Sequence, residues 1–326
     1  MRALALFSGG LDSMLAIKVI KDQGVDVLAL HVDIGFGSRV SKNDLLKSRA
    51  QKAGAKLEIL DVKKQYLEEV LFTPVYGYGK GFNPCIDCHG FMFRLARELL
   101  PKFNTDFIIT GEVLGQRPMS QRSSAINMVT NLAKDDEKLI LRPLSAKLMQ
   151  PTLPEINGWV EREKLLDISG RGRERQLALA EEFGFEDYES PGGGCLLTLK
   201  AFSDRIKDTT KHDTFTVEDI DLLKHGRHLR LKEGAKLVIG RNEADNEALN
   251  SLVLEKYLPI NLHGLIGPTS YLHKNASKED VILALRLVLT YARTEAGKNH
   301  LISFGDTDFN LEPFDSKSVA QPFLVN

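Results

Sequence analysis

Cysteine is scarce in this sequence. Three among 326 residues is an odd number, too small for a disulfide framework, and it points to a reducing compartment. Net charge is nearly absent too, since 43 Lys and Arg face 44 Asp and Glu. That excludes a protein coating nucleic acid through bulk charge, though not one with a local basic patch. No apolar run comes near the roughly 18 residues a membrane-spanning helix needs, so no membrane partner is expected. The stretch from Met1 to Ser8 has too short an apolar run for an export signal, which leads to the expectation of a cytoplasmic protein. Internal repeats, low-complexity tracts and coiled-coil heptads are missing as well. What is present, 43% apolar and 27% charged residues, suits about two domains with ordinary cores.

Through the first half, short apolar runs alternate with helical patterns. Strands are predicted at Ala3 to Phe7, Val25 to Val32, Lys56 to Val62, Phe107 to Thr110 and Leu139 to Leu144. Helices are predicted at Ser13 to Asp22 (closed by Gly24), from a Ser41 cap to about Ala53, near Lys64 to Leu71, and at His89 to Leu100. Such alternation implies an α/β fold, a doubly wound parallel sheet covered on both faces, with ligands at the carboxyl ends of its strands. The texture changes beyond Gly170. A charged helix is predicted at Arg171 to Gly184, then a loop, Glu189-Ser190-Pro191-Gly192-Gly193-Gly194-Cys195, whose glycines let backbone approach something closely. From about Phe202 shorter strands and turns are expected, with a late helix at Lys278 to Ala292. The predicted layout is therefore a domain over 1–200, with a Cys-bearing extension at its end, and a second, smaller α+β domain over 201–326.

Ser8-Gly9-Gly10-Leu11-Asp12-Ser13 falls between the first strand and its helix. Small residues let backbone N–H groups close around a phosphate, and the helix N-terminus adds a favourable dipole. Ser8 and Ser13 supply hydroxyls, while Asp12 can orient the loop or help hold Mg²⁺. Neither the Gly-Lys-Ser/Thr ending of a Walker A loop nor the Gly-x-Gly-x-x-Gly dinucleotide fingerprint is present. A tight strand-to-helix turn with a good cap would use some of the same residues. The hexapeptide at the end of an N-terminal strand resembles the PP-loop of the N-type ATP pyrophosphatases. That resemblance implies an enzyme binding ATP and Mg²⁺ through Ser8, Gly9, Gly10, Leu11, Asp12 and Ser13, and splitting ATP into AMP and pyrophosphate to adenylate a substrate oxygen.

A second string, Thr110-Gly111-Glu112-Val113-Leu114-Gly115-Gln116 with Ser120-Gln121 after it, follows a predicted strand. It is similar to a segment of the tRNA 4-thiouridine synthase family, and Leu139-Ile140-Leu141-Arg142-Pro143-Leu144 looks like that family's next strand. Gly111 permits close approach to a nucleotide, and Gln116 and Gln121 offer amide contacts. The resemblance spans roughly residues 1–165. Longer members carry an RNA-binding region before the loop and a sulfurtransferase domain after it, and neither is read here. Asn83-Pro84-Cys85-Ile86-Asp87-Cys88 is comparable to the Asn-Pro-x-x-x-Cys segment of the tRNA 2-thiouridylase family, so the choice between position 4 and position 2 of uracil stays open.

Cys85 and Cys88 form a C-x-x-C, and Cys195 stands far downstream. Several readings compete. Three thiolates can hold three corners of a [4Fe–4S] cluster and leave one iron open, a pattern similar to the iron–sulfur branch of tRNA thiolation enzymes. Alternatively, Cys85 or Cys88 carries a persulfide that Cys195 resolves, or zinc binds the three with His89 as fourth ligand. Cys85-Ile86-Asp87-Cys88-His89 also fits the c-type haem pattern, but that attachment takes place on exported chains. Inert buried cysteines are the bland alternative, less apt for three residues all expected in Gly/Pro-bearing loops.

Between Lys224 and Arg241, six bases (Lys224, Arg227, Arg230, Lys232, Lys236, Arg241) stand against Glu233 alone, with His225 and His228 among them. Such a run suits phosphate-backbone contact, although a solvated surface gives the same count. Lys236-Leu237-Val238-Ile239-Gly240-Arg241-Asn242, continuing to Asn246, resembles a motif of the RNA-binding module of NFACT-type proteins. This implies a tRNA partner met by Arg227, Arg230, Lys232 and Arg241. Arg171, Arg173 and Arg175 can guide RNA toward the cysteines or only solubilise a helix. Trp159 and His31 read as packing residues.

Together these resemblances imply a tRNA sulfurtransferase using ATP, Mg²⁺ and a [4Fe–4S] cluster. Its catalytic residues would be Asp12, Cys85, Cys88 and Cys195, with Gly111 and Gln116 at the nucleotide and sulfur arriving as sulfide or from a persulfide-carrying protein. The competing classes are a PP-loop ligase or amidotransferase-like enzyme for a small molecule, and an RNA-binding protein that uses ATP as a switch.

Overall fold

The computed structural model describes residues 1–37, 43–189, 194–295 and 297–325. The expected Ser41 cap and the stretch 190–193 of the glycine-bearing loop lie outside them. The chain divides into two compact units, Met1–Cys195 and Leu196–Asn326.

Five parallel strands build the first unit: β1 (Arg2–Leu6), β2 (Asp26–Asp33), β3 (Lys56–Asp61), β4 (Phe107–Thr110) and β5 (Ile140–Leu141), in the spatial order β3-β2-β1-β4-β5. Central β1 and β4 are apolar almost throughout, with Ala3, Leu4, Phe107, Ile108 and Ile109 fully buried, as strands covered on both faces must be. The helices are α1 (Leu11–Lys21), α2 (Asn43–Lys52), the single turn α3 (Lys63–Tyr66) widening into a π-turn over Leu67–Leu71, α4 (Cys85–Phe103), α5 (Ser123–Ala133), the short α6 (Leu153–Ile156) and α7 (Glu174–Glu182). Contacts join α4 to α5 and α1 to α7, and both α1 and α4 lie against β1 and β4. The strand order reverses between β1 and β4, so the crevice at their carboxyl ends is the ligand position of this architecture. The doubly wound α/β expectation holds.

Two details differ from expectation. Cys85 and Cys88 do not sit in a loop; they open α4, four residues before the predicted start, because Pro84 takes the N-cap with its fixed φ (−83°). The helix predicted from Arg171 begins at Glu174, so Arg171 and Arg175 do not share a helical face.

The second unit begins with two helices, α8 (Lys200–His212) and α9 (Val217–Leu222), where strands and turns were expected. Thr216 and Asp219 form a reciprocal capping box that starts α9. Six antiparallel strands follow: β6 (Arg227–Arg230), β7 (Lys236–Ile239), β8 (Tyr257–Leu262), β9 (Ser270–His273), β10 (His300–Phe304) and β11 (Thr307–Leu311), ordered β11-β10-β8-β9-β7-β6. Helix α10 (Glu243–Asn250) and helix α11 (Lys278–Tyr291) complete it, and Leu285 and Val288 of α11 pack on Leu229, Leu237, Leu272 and Ile302 of the sheet. No helix among the described residues is long and apolar enough to cross a membrane.

Candidate functional site

At the carboxyl end of β1 the chain turns sharply. Gly9 has φ +77°, and a Cβ there would stand 2.5 Å from Leu46 Cδ2. Ser13 Oγ donates to the Gly10 carbonyl (2.7 Å), and the Gly10 N–H donates to Ser8 Oγ (3.3 Å). Gly10 is the N-cap of α1, and no side chain caps the helix, so its first N–H groups face the loop mouth. The Gly9 carbonyl is pinned from behind by the N–H of Glu189 (3.3 Å) and by buried Arg49 (3.3 Å), whose other nitrogen donates to Asp187 (2.8 Å).

Strand β4 ends beside this turn. A Cβ on Gly111 would lie 2.5 Å from the Asp12 carbonyl carbon and the Ser13 nitrogen, so only glycine lets the two backbones meet. Gln116 then reaches back, its Nε2 donating to Asp12 Oδ2 (2.7 Å), while its Oε1 accepts from Gln176 of α7 (2.9 Å). Arg173 Nη2 donates to the other Asp12 oxygen (3.4 Å). Thus Gln116 and Arg173 hold the Asp12 carboxylate, which sequence reading did not anticipate for either. Three buried polar atoms here lack a hydrogen-bond partner: Arg173 Nε, Gln176 Oε1 and Gln121 Oε1. Arg175 pairs instead with Asp167 (2.5 Å).

One residue past Gly111, buried Glu112 joins the phosphate loop's neighbourhood to the cysteines. Its Oε1 accepts from His89 Nδ1 (2.8 Å), and its Oε2 from Arg142 Nε at the end of β5 (2.9 Å). Burial alone would raise the Glu112 carboxyl, but Arg142 and His89 outweigh it and hold the group below its ordinary value. His89 follows Cys88 directly on α4. The signal for this trio was in the sequence, since Glu112 and Arg142 each end an apolar strand, where a core residue would be expected.

The cysteines themselves converge. Asn83 is buried and donates Nδ2 to Cys85 Sγ (3.1 Å), while its Oδ1 accepts from the Gly81 N–H (3.0 Å). Asp87 accepts from the N–H groups of Val75 (2.6 Å) and Tyr76 (3.1 Å), fastening the preceding loop. Although partly exposed at one edge, Cys88 is hemmed in by protein. That desolvation pushes its thiol up, Cys195, Cys85 and Asp87 add to the rise, and the Tyr66 hydroxyl opposes it. Tyr66 is fully buried, and its own ionisation is raised by burial and by Cys88. The three thiols are therefore mutual electrostatic neighbours, with Cys195 the exposed member. The donor set is right in kind for a cluster, but no three His, Cys, Asp or Glu side chains are drawn into a metal-holding group among the described residues.

In the second unit the basic segment is mostly neutralised from outside itself. Lys224 pairs with Asp221 (2.6 Å) and Arg241 with Asp245 (3.0 Å to Oδ1), whose carboxyl is held at about 2. Asp208 of α8 takes both Arg230 (2.7 Å) and Lys236 (3.0 Å). Lys236 is buried, which pulls its ammonium down to about 8 despite Asp208. Arg227 lies 4.9 Å over the Tyr291 ring, and Lys232 is exposed. The packing residues sit as expected, with Trp159 against Phe107 (6.0 Å) and His31 Nδ1 at the Phe7 carbonyl (2.9 Å).

With this geometry in place, residues 2–81 match the family model of the arginosuccinate synthase N-terminal HUP domain, and residues 226–321 that of the NFACT protein RNA binding domain. Part of the first unit thus resembles a HUP, or PP-loop, domain, and part of the second resembles an NFACT-type module. Among curated proteins, the chain is similar to the tRNA-specific 2-thiouridylase MnmA of Marinobacter nauticus, 26% identical over 238 residues, 70% of this chain and 58% of that protein. It is also similar to the probable tRNA sulfurtransferase of Thermococcus kodakarensis, 33% identical over 119 residues, 35% of this chain and 30% of that one. The chain thus spans less than two thirds of the length of these relatives. A solved 4-thiouridine synthetase–RNA complex with bound ATP matches with TM-score 0.40 and 19% identity, covering 68% of this chain and 52% of that one.

Proposed function

We propose that this protein is an ATP-dependent tRNA uridine thiolation enzyme. The phosphates of ATP sit in the loop from Ser8 to Ser13, and Asp12, steered by Gln116, takes Mg²⁺; one carboxylate plus phosphate oxygens suits that ion. A uracil carbonyl oxygen attacks the α-phosphate, its bond to phosphorus forms, and pyrophosphate leaves. Sulfide then adds to the activated ring carbon, and AMP departs with the original oxygen; if the sulfur comes on a persulfide-carrying protein, a second thiol must break the S–S bond and leave as a disulfide with the carrier thiol. Positioning and charge stabilisation of the phosphates supply most of the acceleration.

The observation that best supports this reading is the junction at β4. Gly111 touches the loop proposed for the phosphates, and the next residue, Glu112, bonds the histidine that follows Cys88, so two adjacent residues link that loop to the cysteine assigned to sulfur. Cys85, Cys88 and Cys195 are assigned to sulfur. A [4Fe–4S] cluster on their thiolates would supply a seat for the atom to be delivered. Position 4 of uracil is the first choice. Position 2 is the second, favoured by the Asn83-to-Cys88 segment, which fits Asn-Pro-x-x-x-Cys, and by the name of the Marinobacter relative.

The test supplies the anaerobically prepared full chain with ATP, sulfide and an unmodified tRNA transcript. AMP and pyrophosphate are measured, and the tRNA is digested for nucleoside mass spectrometry. AMP formation that depends on tRNA, with 4-thiouridine in the digest, is expected; 2-thiouridine selects the second reading. ATP turnover indifferent to tRNA, with no thiouridine, overturns both.

A further inference from the structure

The bases that sequence motifs single out in the second unit are largely occupied, so the surface available to RNA must be sought elsewhere. Four of the six between Lys224 and Arg241 are paired to an acid. Arg227 is not, and it leads to a different surface. Its guanidinium lies over Tyr291 at the end of α11, with Nη1 donating to the Gly240 carbonyl (3.3 Å). Lys317 brings a second cation over the same ring, 5.5 Å from its centroid. Five residues back on α11, Arg286 stacks 4.0 Å over Phe314 and donates Nε to the Glu312 carbonyl (3.0 Å). Thr290 stitches these parts together, accepting from the Phe314 N–H (2.9 Å) and donating to the Arg286 carbonyl (2.7 Å).

The result is a strip in which three cations are bedded on two half-buried aromatic rings. None of Arg227, Arg286 and Lys317 has an acid within ion-pair distance among the described residues, unlike the four paired bases nearby. The rings hold the cationic heads in place by cation–π attraction and shield the stems. A fixed, uncompensated cation costs little to bring to a phosphate, because its side chain is already ordered. Alternation of cations with aromatic edges suits a nucleic-acid strand whose backbone follows the charges while sugars and unstacked bases meet the rings.

We infer that this strip, Arg227, Tyr291 and Lys317 with Arg286 and Phe314, is where the second unit binds the RNA backbone. The inference rests on the RNA reading of that unit and adds to it the residues responsible. Counterion release makes the assignment measurable, since each phosphate contact steepens the fall of affinity with salt.

The experiment follows binding of an unmodified tRNA transcript to the full chain by fluorescence anisotropy over a series of KCl concentrations. Lys317→Gln, at an exposed position that folding does not depend on, should flatten the log–log salt slope by about one, as should Arg286→Gln. The double variant should flatten it by about two. Tyr291→Leu should weaken binding by releasing two cations, and Tyr291→Phe, which keeps the ring, should not. Lys211→Gln, an equally exposed lysine on α8, serves as the control and should leave the slope as it is. Folded Lys317→Gln and Arg286→Gln proteins with the unaltered slope would overturn the assignment while leaving RNA binding intact. A wild-type chain that binds no tRNA would bring down the RNA reading and the strip with it.

Discussion

The two units treat their sequence motifs in opposite ways. In the first, the loop from Ser8 to Ser13 and the Gly111 string meet at the carboxyl ends of β1 and β4, and Glu112 ties them to His89, beside Cys88. In the second, four of the six bases in the densest run of positive charge fold against acids supplied by other elements, Asp208 of α8 above all. The difference lies in what each motif encodes. A phosphate loop is a backbone path, written locally in small residues that few alternatives satisfy. A charge count is only a sum over a window, and the partners that cancel it lie outside the window.

That contrast can be broken at its strongest point by placing a methyl group on Gly111. Gly111→Ala puts a Cβ 2.5 Å from the Asp12 backbone and must displace the phosphate loop. A misplacement of this kind costs about 100-fold or more in rate, so tRNA-dependent AMP formation should fall by at least that much while the melting temperature shows the unit still folded. If activity survives, the loop is not the nucleotide site.

Next in size, Asp208→Asn should destabilise the second unit by about 3 kcal/mol in urea titration, because it strands Arg230 and buried Lys236 without a counter-charge. Lys236→Met, which removes the buried cation, should be neutral or stabilising by comparison. Were the two variants to behave alike, the pairing would not be what the charge run is for. Gln116→Ala should raise the KM for ATP·Mg by about tenfold through loss of a hydrogen bond to a carboxylate, with little effect on folding.

Acid should separate the units as well. His228 is buried and its imidazole is held well below its ordinary value, mainly by desolvation. The folded state then binds no proton there while the unfolded chain does, so stability falls as pH drops below about 6.5, by up to about 1.4 kcal/mol per pH unit. Glu112, lowered by Arg142 and His89, carries the first unit's counterpart. Its contribution is complete above about 4.5 and is lost only as pH falls below that value. The second unit should therefore loosen first on acidification. The single tryptophan, Trp159, lies in the first unit and should report its unfolding at lower pH than far-ultraviolet circular dichroism reports for the whole chain. The smallest effect belongs to Lys224→Gln, which removes a base already paired to Asp221 and should leave the salt slope of tRNA binding unchanged.

The parallel sheet and the phosphate loop were legible because apolar runs and small residues write them directly. Gln116 was legible as a polar residue in the string after β4, but its bond to Asp12 spans 104 positions and no local pattern carries that. The start of α4 was misread because glycine and proline upstream of Cys85 look like loop. Pro84 is in fact the cap, and the C-x-x-C becomes the helix's first turn. Helix α8 was missed for a different reason. It presents Phe202 and Ile206 as its buried stripe while two threonines and several charges dilute the period. Helix α9 was missed as well, although Thr216 and Asp219, three apart, are the capping pair that starts it. Tyr66 carried no signal at all, since a single tyrosine between Lys63-Lys64-Gln65 and Leu67-Glu68-Glu69 says nothing of a thiol far along the chain.

The contact between Glu112 and His89 settles one matter of direction. An ionised carboxylate has no proton to offer, so the 2.8 Å bond requires Nδ1 of the imidazole to be the donor. In the neutral ring the lone pair is then confined to Nε2. The tautomer of His89 is thus chosen by a residue at the end of another strand, and the ring is donor toward the protein and acceptor away from it. Whatever meets that nitrogen beside Cys88 must come with a proton or an empty orbital.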